Sequence, residues 1–118
     1  MLVDDEAGVR KVAGRALSRA GHDLVLAGSG QEALDLLDDE DTIDLLITDL
    51  AMPGMNGLEL AERVHALHPS MPVLYISGYA DQVLASVRPS DGSFDVLEKP
   101  FTPAALTDRV AQVLADRD

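Results

Sequence analysis

The sequence predicts an α/β domain in which five parallel strands alternate with helices. Short, continuously apolar runs recur along the chain, and such runs are typical of strands buried on both faces of a parallel sheet. Between them, apolar residues repeat at the three- and four-residue spacing of helices. Because parallel neighbours are joined by right-handed crossovers, this alternation indicates a sheet covered by helices on both faces.

The first two strand–helix units occupy the amino-terminal part of the chain. Met1–Val3 is the first strand, and it is short against the usual five or six residues, so further residues upstream are expected. Gly21 stands where many helices end. The apolar face of the helix before it comprises Val9, Val12, Ala13, Ala16, Leu17 and Ala20. Leu24–Ala27 is the second strand, and Ser29 with Glu32 forms a capping box that opens the second helix.

The third unit has the clearest signals. Ile43–Thr48 is a nearly all-apolar strand that leads directly into Asp49. Asn56 and Glu59 form a second capping box, and Pro69 ends the helix that follows. The apolar positions of that helix are Leu60, Val64 and Leu67.

The last two units complete the pattern. Pro72–Ile76 and Phe94–Glu98 are the fourth and fifth strands, and a weaker helix covers Ala80–Val87 between them. Thr102 caps the final helix, with Pro103 at its first position. The buried face of the final helix is formed by Leu106, Val110, Val113 and Leu114.

Composition limits the classes of function. The 118 residues, 1–118, are expected to form one domain. The net charge of −12 disfavours nucleic acid or anionic lipid as a direct partner and favours a divalent cation or a basic protein surface. The chain has no cysteine, which excludes disulfides and thiolate chemistry. No apolar run reaches the length of a membrane span, and no signal peptide opens the chain, so a cytoplasmic location is expected.

Polar residues follow four of the five strands. Asp4 and Asp5 follow the first strand, Asp49 the third, Ser77 the fourth and Lys99 the fifth. Taken alone, each has an ordinary structural role, since acidic residues open helices, serine occurs in turns and lysine is solvated. Because the carboxyl ends of parallel strands meet at one edge, we expect all five side chains to converge there.

Converging carboxylates need a counter-charge. Two carboxylates about 4 Å apart repel by about 4 kcal/mol at an effective dielectric of 20. A magnesium or calcium ion with oxygen ligands would relieve this repulsion. An aspartate beside such an ion can attack phosphorus and form an acyl phosphate, while a lysine and a hydroxyl stabilise the phosphoryl oxygens.

Three motifs carry a family resemblance. They are Leu2–Glu6 (LVDDE), Thr48–Gly57 (TDLAMPGMNG) and Lys99–Phe101 (KPF). In this order the chain resembles, over its whole length, a response-regulator receiver domain of two-component signalling. The resemblance implies a flavodoxin-like doubly wound sheet of five parallel strands in the order 2-1-3-4-5.

The resemblance also implies roles for particular residues. Asp49 would accept a phosphoryl group from a histidine kinase or histidine phosphotransfer protein in a magnesium-dependent reaction. Asp5 would bind the Mg²⁺ directly and Asp4 through water, with Asp49 and the backbone carbonyl of Ala51 completing the protein ligands. The domain would catalyse its own phosphorylation and slow dephosphorylation only, and would not be an enzyme.

The resemblance also implies a conformational switch that responds to phosphorylation. Ser77 would supply a switch hydroxyl, Lys99 would contact the phosphoryl group, and the Lys99–Pro100 bond would be cis. In the family a tyrosine or phenylalanine usually stands three residues before the lysine, where this chain has Val96. We therefore expect Phe94 or Tyr79 to respond to phosphorylation instead.

Two other functions remain open at this point. An aspartyl-phosphate hydrolase would need a general acid two residues after Asp49, where the chain has Ala51. A receiver-like domain that never accepts phosphate would lack some acceptor-site residues, whereas this chain has them all.

The oligomeric state, the parent protein and the docking surface can also be predicted. The chain is expected to be a monomer or at most a weak dimer, either free-standing or part of a longer protein. The sequence at Ile76–Ala80 and at Lys99–Thr102 resembles that of receivers attached to hybrid histidine kinases. A helical partner is expected to dock on the first helix near Lys11 and Arg15 and on the Pro100–Phe101 loop.

Overall fold

Five parallel strands form one sheet with helices packed on both faces. The computed structural model describes residues 1–39, 43–78 and 95–116. The strands are β1 (Leu2–Val3), β2 (Leu26–Ala27), β3 (Leu46–Asp49), β4 (Val73–Ser77) and β5 (Asp95–Glu98), and the helices are α1 (Ala7–Arg19), α2 (Gly30–Asp39), α3 (Gly57–Leu67) and α4 (Pro103–Asp116). The strand order is β2-β1-β3-β4-β5 with every pair parallel, which confirms the predicted fold class. The helix predicted at 80–87 lies outside the described residues.

The glycine that ends α1 takes the conformation that the sequence predicts. Gly21 has φ +97°, in the left-handed region that a residue without a Cβ adopts freely. Its N–H bonds to the Ser18 carbonyl, and the His22 N–H reaches back to Leu17, so the chain closes a Schellman motif. These two bonds satisfy carbonyls at the end of α1 and turn the chain toward β2.

The predicted helix starts are confirmed at three places, with one correction. Asn56 and Glu59 bond reciprocally at the start of α3, and the Thr102 hydroxyl accepts the Ala105 N–H at the start of α4. At α2 the Ser29 hydroxyl accepts the Glu32 N–H at 3.1 Å. The second arm of that predicted capping box is wrong, because the Glu32 carboxylate accepts the N–H of Gly28 at 2.9 Å instead.

Successive strand residues alternate between two hydrophobic cores, as the period of two requires. Leu2 points to the face covered by α1 and α4, and Val3 to the face covered by α2 and α3. The first core contains Leu2, Ala13, Leu17, Leu45, Ile47, Leu74, Ile76, Leu106, Val110 and Val113. The second contains Met1, Val3, Ala27, Ala33, Leu37, Leu46, Met52, Leu60, Val64 and Met71. The sheet is therefore buried on both sides, and only its edges and strand ends meet solvent.

Three residues of the predicted apolar helix patterns are exposed, among them Ala20 directly after α1. Val12 on α1 is 58% exposed and Leu67, the last residue of α3, is 59% exposed. The buried face of α1 contains Ala13, Gly14 and Leu17, and a Cβ at Gly14 would sit 3.6 Å from the Leu26 side chain. α1 therefore packs Gly14 near β2, and Val12 lies outside this buried face.

The outer strand β5 carries a side-chain contact on its backbone. Arg109 of α4 donates a hydrogen bond from Nη2 to the carbonyl of Val96 at 3.1 Å. One backbone acceptor of this strand is therefore satisfied by α4. Among the described helices, none is both long enough and apolar enough to cross a membrane.

The loop from β3 to α3 depends on a close backbone approach at Gly57. The Gly57 N–H bonds to the Leu50 carbonyl at 2.9 Å. A Cβ built at Gly57 would overlap the backbone carbonyl oxygen of Asp49 and lie 3.0 Å from Leu50 Cα. Only glycine lets the start of α3 pack against the end of β3 in this way.

We expect Gly57→Ala to destabilise the fold by about 1–3 kcal/mol, because backbone atoms must shift to admit the methyl group. Gly8→Ala is the matched control, since a Cβ at Gly8 has no atom within 4 Å outside its own helix. That substitution is expected to be neutral or to stabilise by up to about 1 kcal/mol through helix propensity. Urea unfolding of both variants measures the difference, and equal stabilities would contradict this account of the loop.

Candidate functional site

The carboxyl ends of the strands bring the predicted site residues together. Asp4 follows β1, which pairs with β3, and β3 ends at Asp49. Ser77 ends the neighbouring β4, and Lys99 directly follows β5. The register therefore places these side chains at one edge of the sheet.

Lys99 is the centre of the charge cluster. Its Nζ donates to Asp49 Oδ2 at 2.9 Å and lies 3.5 Å from Asp4 Oδ2 and 3.9 Å from Glu6 Oε1. Burial lowers the pKa of the Lys99 ammonium, but the hydrogen bond to Asp49 and the surrounding carboxylates outweigh burial, so the net pKa shift is upward. Lys99 thus stays charged and offsets part of the carboxylate repulsion.

Asp4 and Asp49 are held by the same kind of backbone hydrogen bond. Each is buried, and each accepts a backbone N–H two residues ahead through Oδ1, from Glu6 at 2.9 Å and from Ala51 at 3.1 Å. This local turn is one that aspartate forms readily. It fixes one oxygen of each carboxylate and leaves both Oδ2 atoms near Lys99.

The second oxygen of Asp4 has unused bonding capacity. Asp4 Oδ2 is buried and makes no hydrogen bond with any residue of the described chain. Burial raises the pKa of Asp4 above its usual 3.8, and the nearby charge of Asp49 adds to this shift, while the Glu6 N–H and the Lys99 ammonium oppose it. A buried carboxylate oxygen without a hydrogen bond is costly unless another group binds it.

A hard divalent cation fits this arrangement. Asp4, Asp5 and Asp49 each offer a carboxylate oxygen, and these three oxygens lie within 4.8 Å of one another. Asp5 is exposed, so the group opens to solvent on one side. Carboxylate oxygens with room for water are the ligands that Mg²⁺ prefers.

The remaining predicted residues take less direct positions. The Ser77 hydroxyl donates to the Gly78 carbonyl at 3.0 Å, and the Ser77 carbonyl accepts the Lys99 N–H at 2.8 Å. Ala51 is exposed beside Asp49. The Lys99–Pro100 peptide bond is cis, as expected.

The position of the expected aromatic ring is filled by a half-buried valine. Val96 packs against a small cluster on the α3 side of the sheet, which includes Leu50, Ala61 and Tyr75. Phe94 and Tyr79, proposed from the sequence as responding rings, both lie outside the described residues.

One contact of the site was not predicted from the sequence. Arg10 of α1 donates a hydrogen bond from Nη1 to the backbone carbonyl of Asp4 at 2.6 Å. Its position in the first turn of α1, after a pair of aspartates, is a weak signal, because arginines near helix starts are usually solvated.

Comparison with known proteins identifies the family. The family model of the response regulator receiver domain matches residues 1–111. The chain belongs to the response regulator receiver domains. Such receivers take phosphoryl groups from histidine kinases and are signalling domains rather than enzymes.

Two curated proteins and one crystal structure illustrate the similarity. It is 38% identical over 119 residues to a chemotaxis protein CheY homolog of Campylobacter jejuni, covering 97% of this chain and 90% of that protein. It is 34% identical over 119 residues to the sensor kinase CckA of Brucella abortus, covering 100% of this chain. A crystal structure of a response regulator receiver protein from Sinorhizobium medicae matches with a TM-score of 0.85 at 35% identity, over 99% of this chain and 94% of that one.

The receiver spans different shares of these relatives. It covers 13% of the length of the CckA kinase and 24% of the transcriptional regulator NtrC of Klebsiella pneumoniae, against 90% of the CheY homolog. The similarity therefore establishes the domain and leaves the activity of any larger protein as a proposal.

We expect Asp4→Asn to raise the stability of the metal-free receiver at pH 7 by on the order of 1 kcal/mol, the usual scale of a single substitution. The folded pKa of Asp4 is raised, so the ionised carboxylate disfavours folding above that pKa, and asparagine keeps an oxygen for the Glu6 N–H. The gain should shrink as the pH falls toward 4, because protonation then relieves the wild type as well.

Denaturant unfolding between pH 4 and pH 8 in the presence of a chelator measures this difference. Asp108→Asn, at an exposed position on α4, makes the same charge change away from the site and serves as the control. A stability difference between Asp4→Asn and wild type that grows on acidification would contradict the conclusion that the buried charge of Asp4 disfavours folding.

Proposed function

We propose that this receiver, acting as one domain over residues 1–118, accepts a phosphoryl group on Asp49. The observation that carries the proposal is the contact of Lys99 Nζ with Asp49 Oδ2 at 2.9 Å, beside two further carboxylates. A buried carboxylate held by a backbone N–H, next to a fixed cation, is suited to attack a phosphorus atom. Membership of the receiver family supports the same role.

The chemistry is a transfer between two protein side chains. A carboxylate oxygen of Asp49 attacks the phosphorus of a phosphohistidine, an O–P bond forms, and the N–P bond breaks. The histidine imidazole leaves with the bonding electron pair and takes a proton from solvent. Lys99 stays protonated and neutralises charge on the phosphoryl oxygens, and Ser77 turns from Gly78 to donate its hydroxyl proton to one of them.

The residues that would hold Mg²⁺ are Asp4, Asp5, Asp49 and the carbonyl of Ala51. Support comes from the three carboxylate oxygens within 4.8 Å and from the buried Asp4 Oδ2, which has no hydrogen bond among the described residues. When bound, the ion supplies positive charge that offsets both the carboxylate repulsion and the charge of the incoming phosphoryl group. Asp4 is held for this purpose by Glu6, and Asp49 by its own turn.

A helical donor is expected to dock beside the site. An apolar groove of about 540 Å³ runs along α1 to the Pro100–Phe101 loop, and the exposed Val12 lies in it. Although the chain has a net charge of −12, α1 carries the exposed cations Lys11 and Arg15 and no acidic residue in its first turn. This surface suits an acidic, partly apolar histidine kinase or histidine phosphotransfer protein, and the similarity to CckA supports a hybrid kinase as the parent.

The hydrolase alternative has less support. The residue two positions after Asp49 is Ala51, which has no proton to donate from its side chain. We therefore expect single phosphorylation with slow loss rather than repeated turnover.

Asp49→Asn is expected to abolish phosphorylation by acetyl phosphate with Mg²⁺ while leaving the fold intact, because the substitution is nearly isosteric and removes one of the repelling charges. Intact-mass spectrometry over time measures the phosphorylated fraction. The control Asp108→Asn should be phosphorylated like wild type. Uptake by Asp49→Asn at the wild-type rate would show that another residue is the acceptor.

Mg²⁺ is expected to stabilise the folded receiver, by about 2.7 kcal/mol at a concentration one hundred times its Kd. Asp5→Ala should remove most of the Mg²⁺-dependent rise in Tm. Asp23→Ala, an exposed substitution before β2 and away from the strand ends, should leave the rise unchanged. Calorimetry with Mg²⁺ and with a chelator measures the shift, and a full shift in Asp5→Ala would exclude Asp5 as a ligand.

A further inference from the structure

Arg10 joins three segments at the carboxyl edge of the sheet. It belongs to α1, its Nη1 bonds to the Asp4 carbonyl at 2.6 Å, and its guanidinium lies over Gly28 just after β2. A Cβ at Gly28 would lie 3.1 Å from Nη1, closer than most such contacts. The absence of a side chain at Gly28 thus provides the space that the guanidinium occupies.

The contact with Arg10 completes the restraint on Asp4. The Asp4 N–H bonds to the Ala27 carbonyl at 3.2 Å, its Oδ1 accepts the Glu6 N–H, and its carbonyl accepts Arg10. Backbone donor, backbone acceptor and side chain are therefore all engaged. With Asp4 held from three sides, the position of the adjacent Asp5 is restricted as well.

Arg10 acts through the backbone rather than as a counter-ion. The described ion pairs of the site all involve Lys99, whereas Arg10 donates to a carbonyl. A guanidinium is planar and presents several donors in a fixed geometry, which a lysine ammonium lacks. Restraint of this kind on metal-binding carboxylates commonly sets metal affinity.

We propose that Arg10 is a positioning residue that holds the Asp4–Asp5 turn in the geometry required for divalent-cation binding. Gly28, which has no side chain, leaves the space for its guanidinium. The inference rests on the magnesium site of the proposed function. It implies that Arg10 controls the affinity for Mg²⁺ and not the maximal rate of phosphoryl transfer. It further implies that the planar shape of the guanidinium matters as well as its charge.

The test uses titration calorimetry of Mg²⁺ binding to the full chain. Arg10→Gln should weaken Mg²⁺ binding about tenfold or more. Arg10→Lys, which keeps the charge, should recover only part of that loss. Arg63→Gln, at an exposed position on α3, makes the same charge change elsewhere and should bind Mg²⁺ within about twofold of wild type.

Gly28→Ala tests the contact without removing the arginine. It should weaken Mg²⁺ binding in the wild-type background and have no further effect in Arg10→Gln, because the two residues act through one contact. Far-UV circular dichroism establishes that each variant is folded. If Arg10→Gln does not fold, Arg10→Lys and Gly28→Ala decide the question.

A second readout separates positioning from general damage. In phosphorylation by acetyl phosphate, Arg10→Gln should reach the wild-type maximal rate at saturating Mg²⁺, with the half-maximal Mg²⁺ concentration raised by the factor found in calorimetry. Wild-type Mg²⁺ affinity in Arg10→Gln, or full recovery in Arg10→Lys, would overturn the inference while leaving the proposed function intact. Mg²⁺ binding without phosphate uptake by wild type would overturn the proposed function alone, and a wild type that binds no Mg²⁺ would overturn both.

Discussion

The repulsion between the carboxylates at the end of β1 and β3 is the constraint on which the site depends. Asp4 and Asp49 are buried side by side because their strands are neighbours in a parallel sheet. Lys99 reaches them from beyond β5, two strands away from β3, and supplies the one described ammonium that contacts both carboxylates. Three carboxylates face the single ammonium of Lys99, so the cluster retains excess negative charge that a bound cation would offset.

Local backbone bonds make this charged cluster rigid. Asp4 and Asp49 each use one oxygen to accept an N–H two residues ahead, so the chain itself orients both carboxylates before any ligand arrives. Gly57 allows α3 to press against the end of β3, and Arg10 secures the end of β1 from α1. Preorganisation of this kind would reduce the reorganisation required in the proposed phosphoryl transfer.

Sequence patterns predicted the elements better than the orientation of their surfaces. Helix ends at Gly21 and Asn56 could be predicted because their signals are local, and the convergence of polar residues followed from parallel topology. The exposure of Val12 could not be predicted, because tertiary packing decides which part of an apolar helix face is covered. The bond from Arg10 was missed because its acceptor is a backbone carbonyl, which no side-chain pattern reveals.

The contact of Arg109 with Val96 bears on how this domain behaves when many copies are crowded together. An outermost strand with free carbonyls and N–H groups is a template on which a strand from another molecule can add. In β5 the carbonyl of Val96 is already engaged by a charged side chain from α4, which also places a cation at the rim of the sheet. The engaged carbonyl and the adjacent cation make this part of β5 a poorer template for a strand from another copy.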